Sequence, residues 1–156
     1  AAISSLANQA SNYLMEHFIP ERIGSNHPNI APYGEIVTCK DNVQLVLAAG
    51  SQPQFIHLCN ALNANDILNN PIYKTNKDRV GNRIQLAIDL QAKFSSYNSQ
   101  DIYNTLIENN VPVGQIKNMK AVFDSDAAKN LILEEKIENE YTKRVKTVVF
   151  KITNAV

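Results

Sequence analysis

The sequence has no tryptophan and only two cysteines, Cys39 and Cys59, neither of them in a Cys-x-x-Cys or Cys/His ligand spacing. That leaves no disulfide framework and no zinc motif, and buried structural thiols are the simpler reading. Charge of one sign is also lacking: 15 Lys and Arg balance 15 Asp and Glu, so no overall field attracts nucleic acid or an anionic membrane. The tightest basic group, Lys143, Arg144 and Lys146, reads as the solvated face or guarded edge of a strand. No apolar run approaches the roughly 18 residues that span a bilayer. The N-terminal residues lack the basic start of a signal peptide. The expected compartment is reducing: cytoplasmic, or the mitochondrial matrix in a eukaryote.

What is present fits one soluble domain of 156 residues, with 44% apolar and 19% charged residues. The conspicuous stretch is Arg22 to Tyr33, which carries Gly24, Pro28 and Pro32 among serine, asparagine and histidine. The prolines fix their own φ and bias His27 and Ala31 toward extended backbone, while Gly24 permits a turn. A long loop with a preset path is the expectation, and such loops on a packed scaffold often carry binding groups.

Around it, the apolar spacing of Leu6, Ala10, Tyr13 and Leu14 predicts a helix over 4–18, ended by Pro20. Runs 35–39 and 43–49 predict a β-hairpin turning at Lys40-Asp41-Asn42. Ser51 caps a predicted helix to about Leu62, and Thr75 caps a longer one to about Phe94, with Val80, Ile84, Ala87 and Ile88 on its buried face. A further helix spans 99–109 before Val111-Pro112-Val113-Gly114 breaks the pattern, followed by short helices at 118–123 and 125–130. Runs 132–137 and 145–152 predict a second strand pair, joined by the polar stretch 138–142. With no repeat or linker, the chain reads as one α+β unit over 1–156: two antiparallel hairpins with helices between them.

Chemistry-bearing residues are scattered. His17 ends a helix, His27 lies in the loop and His57 sits within a helix; no two are spaced as metal ligands. Asp124-Ser125-Asp126 pairs two carboxylates, but a serine cap between short helices explains it more simply. Glu21 and Glu35 bracket the loop and have the chemistry of a nucleophile or base, without a spacing that selects either. Gly24-Ser25-Asn26 and Gly50-Ser51 can offer backbone N–H groups to an anion, yet neither matches a phosphate-loop pattern.

Several segments, taken in order, resemble the later part of a family III CoA-transferase, the group that includes formyl-CoA transferase and carnitine CoA-transferase. They are Leu6-Ala7-Asn8-Gln9-Ala10 with Asn12-Tyr13-Leu14, then Arg22 through Tyr33, then Ala48-Ala49-Gly50 with Gln54-Phe55. Thr75-Asn76, Arg79-Val80, Asn82-Arg83 and Val111-Pro112-Val113-Gly114 follow. Gln115 departs from the proline that many relatives carry after that glycine.

The resemblance implies a large Rossmann-like domain that binds much of CoA and a small α+β domain that closes over the active site, in an interlocked homodimer. Helix 1–18 would lead from the large domain and 19–156 would form the small one. It also implies an aspartate nucleophile at or just before position 1. Ala1 and Ala2 cannot replace it, so no catalytic residue is expected within this chain, which reads as a fragment of a longer protein. The implied substrates are a CoA thioester and a carboxylic acid, with no covalently bound cofactor and no metal. Gly24, Ser25, Asn26, His27, Pro28 and Asn29 form the implied active-site loop. An acyl-CoA racemase of the same superfamily, which moves an α-proton by acid/base chemistry, is the alternative enzyme; a non-catalytic binding or assembly module is the alternative of another class.

Overall fold

A computed structural model describes residues 3–17, 19 and 21–146. Their contacts group the chain into two compact units, Ala1–Gln115 and Ile116–Val156, although no linker composition divides them.

In the first unit a 3₁₀ turn, Ser4–Leu6, leads into α1 (Ala7–Glu16), which ends at His17 in left-handed backbone, φ 54°. The apolar spacing did predict this helix, yet Leu14 and Met15 on it are exposed. Strand β1 (Tyr33–Thr38) pairs antiparallel with β2 (Gln44–Ala48) through the expected turn, where Asn42 takes φ 62° and its N–H donates to Cys39 O at 2.9 Å. The register slips by one residue between Tyr33 and Ile36, a bulge at Gly34-Glu35.

Helix α2 (Gln52–Ala61) starts with a capping box: the Ser51 side chain accepts from Gln54 N, while Gln54 Oε1 accepts from the Gly50 and Ser51 amides at 2.9 and 3.0 Å. Those amides are therefore spent on the cap. After the short helix α3 (Asn65–Leu68) and a 3₁₀ turn at Pro71–Tyr73, Thr75 caps α4 (Asn76–Gly81) in the same way with Asp78.

The expected long helix is broken here. The chain pauses at Asn82, φ −110°, before α5 (Arg83–Phe94). The pause resets the helical phase, so Leu86, Leu90 and Phe94 are buried, while Ile84 and Ile88, expected inside, are 81% and 57% exposed. Helix α6 (Ser99–Glu108) buries Ile102 and Leu106. The stretch Val113–Gln115, expected only to break the pattern, is a third strand, β3, pairing antiparallel with β2. Tertiary pairing overrides the local proline signal because Pro112 precedes the strand and costs it no ladder donor.

The sheet order is β1-β2-β3. Alternation along β2 sends Leu45 and Leu47 into a core shared with Phe55, Leu58, Leu86, Leu90, Phe94 and Leu106. On the free edge of β1, the Gln91 side chain mimics a strand: Thr38 N donates to its Oε1 at 2.9 Å and its Nε2 donates to Thr38 O at 2.8 Å. The hairpin turn also anchors α6, whose Ser99 donates to the Asp41 carboxylate from Oγ at 2.7 Å.

The second unit holds α7 (Met119–Phe123), α8 (Asp126–Lys129) and a hairpin of β4 (Ile132–Ile137) with β5 (Glu140–Val145). The second strand was expected over 145–152 after a five-residue connection. It starts at Glu140 instead, because Glu138 and Asn139, φ 50° and 83°, make a two-residue turn. Residues 147–152 of that expectation lie outside the described residues. Both sheets are antiparallel, so the fold class is α+β.

Candidate functional site: a loop gripped by a helix pair

The stretch from Ser25 to Gly34 is closed at its base. Ser25 Oγ donates to Gly34 O at 2.6 Å, and His27 N donates to Tyr33 O at 2.9 Å. The closure needs a glycine: a Cβ on Gly34, whose φ is +78°, would lie 1.9 Å from Ser25 O. Gly24, φ +75°, makes the turn into the loop in open space. The Ala31-Pro32 peptide bond is cis.

Within the loop the His27 ring packs edge-on against Tyr33, with centroids 5.6 Å apart, and its Nδ1 accepts from Asn29 N at 3.2 Å. In the amide orientation that satisfies its neighbours, Asn26 Nδ2 donates to Gly34 O at 3.2 Å and to Glu35 Oε2 at 3.3 Å. Glu35 is half-buried, which raises its carboxyl above the ordinary range, and the nearby Arg83 charge opposes that rise.

The loop's carbonyls are held from one direction, by α4 and α5. Asn76 Nδ2 donates to Asn29 O at 2.8 Å while its Oδ1 accepts from Ala31 N at 3.1 Å. Arg79 Nε donates to Ala31 O at 2.8 Å. Arg83 donates from one terminal nitrogen to both His27 O and Ile30 O, at 2.5 and 2.6 Å. Four carbonyls of the loop, those of His27, Asn29, Ile30 and Ala31, are thus held, and Gly24, Ser25, Pro28 and Asn29 stay exposed.

Arg79 is the anchor. It is 1% exposed, lies 4.2 Å over the Phe55 ring, and also donates to Gln52 Oε1 at 2.8 Å and Tyr73 O at 3.0 Å. Burial lowers its pKa from the usual arginine value. Carbonyl oxygens and an aromatic face stand in for a carboxylate partner, as a desolvated guanidinium requires.

The other candidate residues fall elsewhere. His57 is exposed on α2, and His17 caps α1. Asp124 and Asp126 each pair with a lysine of their own short helix, Lys120 at 2.5 Å and Lys129 at 2.8 Å, and Ser125 between them caps α8. Both thiols are free and buried, and burial pushes Cys59 up to about 12. Among the described residues no group of His, Cys, Asp and Glu is arranged to hold a metal, and no helix is long and apolar enough to cross a membrane.

Residue-type reasoning missed the grip itself. Asn76 and Arg79 lie on α4 and Arg83 opens α5 beyond the break at Asn82, so their spacing puts no common helical face in the sequence, and their residue types alone do not point to the loop.

A profile of CoA-transferase family III matches residues 1–155. The succinate–glutarate CoA-transferase of Agrobacterium fabrum is 37% identical over 118 residues, covering 76% of this chain and 29% of its own length. The human succinyl-CoA:glutarate CoA-transferase is 35% identical over 121 residues, covering 78% of this chain and 27% of its own. The chain thus spans less than a third of these curated relatives. The crystal structure of a CaiB/BaiF family protein from Brucella suis, 29% identical, superposes with a TM-score of 0.77 over 97% of this chain and 39% of that one. A match along nearly the whole sequence, with the fold to go with it, places this chain in CoA-transferase family III.

Proposed function

We propose that this chain is the small domain of a CoA-transferase, and that the arc 22–33 is the lid of its active site. The observation that carries the reading is the grip just described: three side chains of α4 and α5 hold four carbonyls of a loop already closed at its base. A lid over a reactive acyl group must exclude water in a constant geometry.

In this reading the reaction runs through a carboxylate supplied by the large domain, an aspartate. Its oxygen attacks the donor thioester carbonyl, the C–S bond breaks and CoA leaves as thiolate, giving a mixed anhydride. The thiolate then attacks the aspartyl carbonyl and releases the donor acid, so the enzyme carries CoA as an aspartyl thioester. The acceptor carboxylate repeats the two steps in reverse order and departs as the new CoA thioester. No net proton or electron is consumed, and each step is easier than direct exchange.

The lid would shield the anhydride and the thioester, with Asn26 bracing its base and the His27 ring, whose Nδ1 already accepts from Asn29 N, turning its other nitrogen as a donor toward their oxygens. The relatives named for succinate and glutarate make dicarboxylic acids the first acceptors to try. The test is an assay of the full-length protein with succinyl-CoA and a panel of acids, comparing wild type with a variant whose upstream Asp is changed to Ala. Transfer that requires the Asp supports the reading. Equal transfer without it, or α-proton exchange in place of transfer, overturns it.

A further inference from the structure

Arg79 and Arg83 grip the same loop but differ in what else they hold. Arg79 is sealed in the core, where it also ties Tyr73 and Gln52. Arg83 is only partly buried and stands at the first position of α5, just past the pause at Asn82. Its two hydrogen bonds go to the loop alone, spanning His27 to Ile30, the very stretch that contains Pro28 and Asn29. The shallow groove of about 420 Å³ beside it is lined by residues 80–85.

Resting on the lid reading, we infer that Arg83 is a positioning residue for CoA transfer: by pulling the His27 and Ile30 carbonyls onto α5 it sets the height of the lid above the reacting carboxylate. Two consequences follow from the geometry. Replacing Arg83 releases the His27 and Ile30 carbonyls, while Asn76 still holds Asn29 between them and Asn76 and Arg79 still hold Ala31. The lid then stays folded but lifts, and water reaches the acyl intermediates. Loss of a single planar donor nitrogen shared by two carbonyls also cannot be fully repaired by an ammonium, whose donors do not lie in one plane.

The experiment uses the full-length transferase as wild type, Arg83→Gln, Arg83→Lys and His27→Ala. Each is assayed for transfer between acids and, with no acceptor, for hydrolysis of the donor thioester. The expected result for Arg83→Gln is a fall of about tenfold or more in kcat for transfer, since small misplacements of a positioning group carry losses of that order. KM for the donor stays within about twofold, and the ratio of hydrolysis to transfer rises several-fold. Arg83→Lys recovers part of that ratio. A wild-type ratio in Arg83→Gln, with a raised ratio in His27→Ala, overturns the role of Arg83 and leaves the lid reading standing. A wild-type ratio in both variants overturns both. If Arg83→Gln does not fold, Arg83→Lys carries the same two outcomes.

Discussion

Arg79 Nε donates to Ala31 O at 2.8 Å across 48 residues of sequence, and this bond ties the core of the first unit to the loop that the functional reading depends on. Because the guanidinium is buried, removing it strands the buried carbonyls of Ala31 and Tyr73, while Gln52, an exposed residue, loses a partner that water can replace. Arg79→Met is expected to lower the unfolding free energy by about 3 kcal/mol or more, by the desolvation cost of unpaired buried acceptors. A urea titration of this chain checks it; a loss near zero would mean that the loop closes without the arginine.

The Gly34–Ser25 approach gives a second stability test with a built-in control. Gly34→Ala places a methyl group 1.9 Å from Ser25 O, whereas the same change at Gly24 meets nothing within 4 Å, and both glycines have positive φ. Gly24→Ala is expected to cost about 1 kcal/mol for backbone strain alone. Gly34→Ala should cost about 3 kcal/mol or more and expose the base of the loop to protease, as strain and overlap add. Equal midpoints for the two variants would contradict the closure described.

Two carboxyl groups should respond to pH with opposite signs. Hydrogen bonds from Ser99 hold Asp41 below the usual aspartate value of 3.8. A depressed folded pKa stabilises above the unfolded value and is lost as pH falls through the folded one, so Asp41→Asn should weaken the chain at neutral pH and matter less in acid. Burial, opposed by Arg83, raises Glu35 above 4.5. Its contribution is fully present below 4.5 and is lost as pH rises through the raised value, so Glu35→Gln should stabilise at pH 7 and not at pH 3. Thermal midpoints of both variants across pH 3 to 8, on the order of one reading per unit, separate the two signs.

Much of this was legible in the sequence, and the failures have physical causes. The loop, the first hairpin and the caps at Ser51, Thr75 and Ser125 were readable because local chemistry dictates them: proline, turn residues, and side chains that satisfy orphan amides. Strand β3 was not, since three residues after a proline become a strand only when β2 is there to pair with them. The buried face of α5 was misread because a continuous helix was assumed through Asn82; the pause moved Leu86 in and Ile84 out. The grip of Asn76, Arg79 and Arg83 was out of reach for a related reason, as it joins segments some fifty residues apart.

That correction can be checked directly. Leu86→Ala should cost about 2 to 5 kcal/mol as a core truncation, and Ile84→Ala less than about 0.5 kcal/mol as a surface change. The reverse order would restore the unbroken helix.

The central claim is that this chain supplies a lid and not the reacting carboxylate. The measurement that tests it most directly is CoA exchange from succinyl-CoA to glutarate, followed by separation of the thioesters, for the 156-residue chain alone beside the full-length protein. Exchange by the full-length protein and none by the isolated chain is the result expected. Turnover by the isolated chain would contradict the claim, because it would require a nucleophile among residues assigned here to holding and shielding.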